Sequence, residues 1–183
     1  HDAVPVDLAA GAHKSPEFLA MNPNGQVPVL EDGDVIVSDS NAILVYLART
    51  YAPDWIPDTA LGEAEVQRWL TLAAGEIAFG SCAARLITVF GAPLDADFAA
   101  ATAEKAMQKL EQGLEGRDWL VGDRPTIADV AAYSYTAHAP EGNISLSPYP
   151  NIRAWLARFE ALPGFEAMPA TAVGLAAQQG DMT

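Results

Sequence analysis

The sequence predicts an α/β plus all-α chain: a small mixed unit over residues 1–51, followed by an all-helical domain over residues 60–183. Three observations predict it. Short apolar runs alternate with turn signals through the first unit, the texture of brief strands and short helices. The stretch Ala52–Thr59 holds Pro53, Pro57, Asp54 and Asp58 and reads as a linker. Beyond it the chain is rich in Ala, Leu and Glu and turns helical in texture. A length of 183 residues allows one large domain or two small ones to bury a core.

In order along the chain, Ala3–Leu8 is expected as a short strand, followed by Gly11 and a polar turn. Ser15-Pro16-Glu17 then places a cap, a first-turn proline and a first-turn acid at the start of a short helix that stops at Asn22-Pro23. Val27–Leu30 and Asp34–Val37, split by Glu31-Asp32-Gly33, form a hairpin signal. Asp39-Ser40 caps a helix over Asn41–Thr50, with Ile43, Leu44, Leu47 and Ala48 on its apolar face. The order is strand, helix, strand, strand, helix.

In the helical part, Gly62–Phe90 sets Trp69, Leu70, Ala73, Ile77 and Ala84 near one stripe. Ala96–Glu115 is amphipathic and ends at Gly116, and Thr126–His138 and Asn151–Leu162 follow, the latter stopped by Pro163-Gly164. Ala170–Thr183 is weakly patterned and is expected as a partly mobile tail.

Composition excludes several classes of function. A formal net charge of -14 and a pI near 4.3 disfavour nucleic acid and anionic membrane as partners. No apolar run approaches the roughly 20 residues that span a bilayer, and no basic-then-apolar leader is visible. The single cysteine, Cys82, forms no internal disulfide and fits a reducing compartment; among small and apolar neighbours it reads as a packing residue. Three histidines without a close Cys or Asp pairing suggest no metal site.

Three features of the first unit carry chemistry. In the segment NPNGQVPVL, residues 22–30, Pro28 stands at the mouth of a strand where it cannot donate to a ladder. A cis Val27-Pro28 bond would turn the Val27 N–H and C=O outward, where an extended peptide can pair with them; an ordinary trans proline is the plainer alternative. Asp39-Ser40 stands at a helix N-terminus, whose free N–H groups and dipole suit a carboxylate, with Asp39 available to an ammonium group; simple capping is the alternative. Lys14, beside His13, and the amide of Gln26 are suited to a second carboxylate, the alternative being solvated polar residues.

The order and spacing in SPEFLAMNPNGQVPVLEDG and VSDSNAILVYLARTY resemble the glutathione-binding half of the cytosolic glutathione transferase family, of bacterial type. The resemblance continues in GDRPTIAD, residues 122–129, which is similar to the family's capping motif, with Thr126 as N-cap and Asp129 at the third helical position in structural roles. YPNIRAW and ALPGF are similar to its closing helix, and the likeness spans residues 5–168. It implies a thioredoxin-like first domain and a helical second one. It further implies that Val27 pairs its backbone with the cysteinyl part of glutathione beside cis Pro28, and that Asp39 and Ser40 hold the γ-glutamyl end. Gln26 and Lys14 are then candidates for the glycyl carboxylate.

In the family a Tyr, Ser or Cys on the first strand and helix contacts the glutathione sulfur and raises the thiolate fraction. Ala3–Leu8 matches the family's second strand, so the catalytic residue is unknown here. An inner strand without its neighbour would lose its ladder. The expectation is therefore a further strand and helix before His1, roughly two dozen residues at ordinary element lengths, or a partner chain in their place. Phe79, Arg85, Phe90 and His138 are candidates for an acceptor pocket, with ordinary packing as the alternative. The implied activity is conjugation of glutathione, as co-substrate, to an electrophilic small molecule in detoxification, by a cytoplasmic homodimer. A glutathione-dependent reductase, peroxidase or isomerase, a non-catalytic binding module, and a helical protein with an accidental match are the alternatives.

Overall fold

A computed structural model of the chain describes residues 1–179. They form two compact units, His1–Pro53 and the unit that begins at Asp54.

In the first unit, helix α1 spans Pro16–Met21, and the Ser15 hydroxyl accepts from the Phe18 N–H at 3.2 Å. Strands β1, Val29–Asp32, and β2, Val35–Ser38, pair antiparallel with Val29 opposite Ser38 and Asp32 opposite Val35. The turn residues are thus Gly33 and Asp34, one step later than the sequence suggests. Gly33 supplies the positive φ of 60° that a two-residue hairpin needs. Helix α2 covers Ser40–Tyr51.

Ala3–Leu8 forms no strand, a correction to the expectation. β1 and β2 pair only with each other among the described residues, so no neighbour offers Ala3–Leu8 a ladder, and Pro5 lacks an N–H to give one. The segment instead turns through Asp7, whose carboxylate accepts from Ala10 N–H, into a 3₁₀ turn over Ala12–Lys14.

The second unit is helical. Helix α3, Ala60–Phe90, is continuous but widens to a π-helix over Ala73–Cys82. By length and composition alone it could cross a bilayer, a property the reading for apolar runs did not register. Part of its apolar surface is buried within the unit, through Val66, Trp69, Leu70 and Ile77, while Leu61, Phe79 and Phe90 are exposed. Gly80 lies so close to helix α4, Ala96–Gly113, that a Cβ there would come within 2.5 Å of the Ala103 nitrogen. Helix α5, Ile127–Ala137, starts on the expected capping box, with the Asp129 carboxylate accepting from Thr126 N–H at 2.9 Å. Helix α6, Pro150–Glu160, takes its cap from α4: the two oxygens of Glu111 accept from the N–H groups of Asn151 and Ile152, both at 3.0 Å.

The core of this unit contains Trp69, Ile77, Met107, Leu110, Leu120, Ile152 and Trp155. The polar ends of its two buried tryptophans are matched: Trp69 donates to the Leu120 carbonyl and Trp155 to Asp129. The weakly patterned tail holds local structure. Residues 174–179 form helix α7, Gly174–Gln179, and Thr171 is bonded to the turn at Ala139–Gly142. Residues 180–183 lie outside the described residues.

Candidate functional site

The hairpin register gathers several of the predicted residues at one end of the hairpin. Val27-Pro28 is cis and leads into β1. Because Val29 faces Ser38 across the ladder, the residues just before β1 and just after β2 are neighbours. Val27 and Pro28 therefore stand beside Asp39 and Ser40 at the N-terminus of α2. Val27 is 43% exposed, and Gln26, Pro28, Asp39 and Ser40 are exposed as well.

Asp39 adopts φ 77°, ψ 127°, a conformation that L-residues rarely take. Its Oδ1 accepts from the N–H groups of Asn41 and Ala42 at 2.9 and 3.0 Å. The carboxylate so caps the helix and holds negative charge at the mouth of the site. Ser40 is the first helical residue, where a hydroxyl and the orphan N–H groups of the first turn suit an incoming carboxylate.

Lys14 reaches the same loop from the other side. Its ammonium donates to the carbonyls of Asn24 and Gly25 at 3.2 and 3.1 Å, committing two of its three donors. Gly25 has φ 58°, and a Cβ there would fall 2.6 Å from the lysine Nζ and 2.8 Å from the His13 carbonyl. Only glycine admits this approach.

Two residues that sequence reasoning passed over organise the site. Asn22 is buried, donates through Nδ2 to the Gln26 carbonyl at 2.8 Å and accepts through Oδ1 from Asn24 N–H. The Asn-Pro-Asn-Gly run was the available signal, since Asn side chains bond nearby backbone in turns. Asp32, at the far end of β1, accepts from the hydroxyls of Tyr46 and Tyr51 at 2.8 and 2.5 Å, tying α2 to the hairpin. The Tyr51 and Tyr46 bonds lower the Asp32 carboxyl below its ordinary value. No signal in the sequence marks that pairing.

Of the acceptor-pocket candidates, Arg85 and His138 are both bonded to buried Glu141, and Phe79 and Phe90 are exposed. Cys82 is half-buried; burial raises its thiol pKa, which disfavours a thiolate nucleophile. Among the described residues no group of three His, Cys, Asp or Glu side chains is arranged to hold a metal ion.

The sequence profile of the glutathione S-transferase N-terminal domain matches residues 2–49, and that of the C-terminal domain matches residues 94–163. A probable glutathione S-transferase of Oryza sativa subsp. japonica is 35% identical over 181 residues, covering 89% of this chain and 81% of that protein. This chain belongs to the glutathione S-transferase family. A glutathione S-transferase structure from Pseudomonas fluorescens superposes with a TM-score of 0.81 at 33% identity, covering 86% of this chain and 81% of that one. A glutathione transferase of Burkholderia graminis, solved with two glutathione molecules per subunit, gives 0.78 at 27% identity, over 88% and 74% of the two chains. The thioredoxin-like first domain and helical second domain are those of this family.

Proposed function

We propose that this glutathione S-transferase family chain binds glutathione at the Val27–Ser40 end of its hairpin and promotes attack of the glutathione thiolate on an electrophilic small molecule. The observation that carries the reading is the register of the hairpin, Val29 opposite Ser38, which sets an exposed backbone segment beside a helix N-terminus that bears a carboxylate. The Val27 backbone pairs with the extended tripeptide. Ser40 and the first-turn N–H groups of α2 receive the γ-glutamyl carboxylate, and Asp39 receives its ammonium group. Lys14 and Gln26 take the glycyl carboxylate. The tripeptide is then held at three points along its length, which fixes where its sulfur lies. The working unit is a homodimer, by likeness to the family, and a single, packing-type cysteine is in keeping with a cytoplasmic setting.

Calorimetric titration of glutathione into the full chain tests the assignment. Asp39→Ala and Ser40→Ala are each expected to weaken binding by about tenfold or more, the scale of a lost charge-assisted hydrogen bond. Unchanged affinity in both variants refutes the site. Turnover of an aryl electrophile tests the chemistry: binding without turnover points to a non-catalytic module, and thiol exchange in its place points to a reductase.

A further inference from the structure

Three elements of the helical unit converge on one buried carboxylate. Glu141, whose side chain is 2% exposed, lies in the 3₁₀ turn Ala139–Gly142. Arg85 of α3 donates its Nε–H to Oε2 at 2.7 Å. His138 places Nδ1 2.5 Å from Oε1, and since a carboxylate only accepts, that nitrogen carries the proton. The third donor is the N–H of Thr171 at 3.0 Å, with the Arg85 Nη2 also reaching the Thr171 hydroxyl at 3.4 Å.

The same turn is pressed from both sides by glycines. A Cβ on Gly142 would fall 2.7 Å from the Arg85 nitrogen, so the turn lies directly on the α3 backbone. A Cβ on Gly174 would fall 2.7 Å from the Glu141 carbonyl and 2.9 Å from that of Pro140, so the start of α7 lies directly on the turn. Helix α7 has six residues, too few to be stable without tertiary support. Its support is this turn, and its tether is Thr171.

We propose that Arg85, Glu141 and His138 form a buried charged latch that clasps the C-terminal strap from Thr171 to Gln179, so that the strap docks and releases as a unit while the helical core stays folded. Two of the latch groups, Arg85 and His138, are those the sequence offers as candidates for an acceptor pocket. The proposal stands apart from the glutathione chemistry, because every residue in it belongs to the helical unit.

Amide hydrogen exchange on the full chain at neutral pH is the test, with two variants that attack the latch differently. Glu141→Gln removes the charge that holds all three partners. Gly174→Ala leaves the charged cluster intact and denies the strap its seat. Both are expected to speed exchange at Thr171 and along residues 174–179 by about tenfold or more, while the amides of α5 keep wild-type protection. Should Glu141→Gln loosen the whole helical unit, Arg85→Lys, which keeps the positive charge but loses the Nε–H bond to Glu141 Oε2, tests the latch in its place. Thr171 exchanging at the wild-type rate in Gly174→Ala, or α5 and the strap accelerating together in that variant, overturns the proposal.

Discussion

Asp39 bears two burdens that a substitution can separate. As a cap it satisfies two N–H groups of α2, and as a non-glycine residue at φ 77° it carries backbone strain of about 1–3 kcal/mol. Glycine is the next-best cap, losing only a few tenths of a kcal/mol, and it relieves that strain. Asp39→Gly is therefore expected to unfold at the same denaturant concentration as the wild type, or a higher one, while losing glutathione affinity. Equal loss of stability and affinity would mean that the carboxylate serves the helix rather than the ligand. The strained conformation, tolerated where Gly or Asn would be easier, fits a residue kept for its charge.

At the scale of elements, local signals and distant partners divide the labour. Helices α1, α2 and α5 begin on their own residues: Ser15, Asp39, and the Thr126–Asp129 pair. Helix α6 does not. Its first turn holds a proline and no acidic side chain, and the missing negative end comes from Glu111 on α4, which accepts two backbone N–H groups. Glu111→Ala is expected to cost about 2 kcal/mol in urea unfolding, more than the loss of an ordinary cap, since both donors are part-buried. A cost below 0.5 kcal/mol, roughly that of a surface substitution, would show that the α4–α6 contact does not depend on it. The π segment of α3 belongs to the same class: Gly75 and Gly80 are visible in the sequence, but a widened turn depends on what each side of the helix meets.

For the whole molecule, acid is the informative variable. Burial raises the Glu141 pKa, but the bonds from His138, Thr171 and Arg85 outweigh it, and the group is held below its ordinary 4.5. A carboxyl depressed on folding contributes stability that is fully present above its unfolded value and is lost as pH falls through the folded one. The stability gap between wild type and Glu141→Gln is therefore expected to be widest near pH 7 and to close below pH 4.5 in denaturant titrations. A gap that stays constant down to pH 3, roughly the acid limit for such carboxylates, would show that the substitution acts through shape and not charge. Over the same range the chain loses much of its formal charge of -14, a background common to both proteins that cancels in the difference.

What was legible in the sequence is what short-range chemistry controls. Ser15-Pro16, Asp39-Ser40 and Thr126–Asp129 announce helix starts because a cap bonds N–H groups two or three residues away. Asp32-Gly33 announces a hairpin because one residue must take positive φ, and the gathering of Pro28 and Asp39 at one end follows from that hairpin's register. The tertiary structure decided the rest. Ala3–Leu8 has the pattern of a strand and no ladder, since hydrogen bonds between strands depend on a neighbour that the pattern does not contain. Lys14 reaches Gly25 and Glu111 caps α6 for the same reason: each pairing joins residues far apart in the chain. Arg85 and His138 read in sequence as pocket candidates and Thr171 carries no signal; only their meeting on Glu141 shows where the tail is held. Local rules thus named the residues of the proposed site, and long-range contacts determined how Lys14, Arg85, Glu111 and Glu141 are paired.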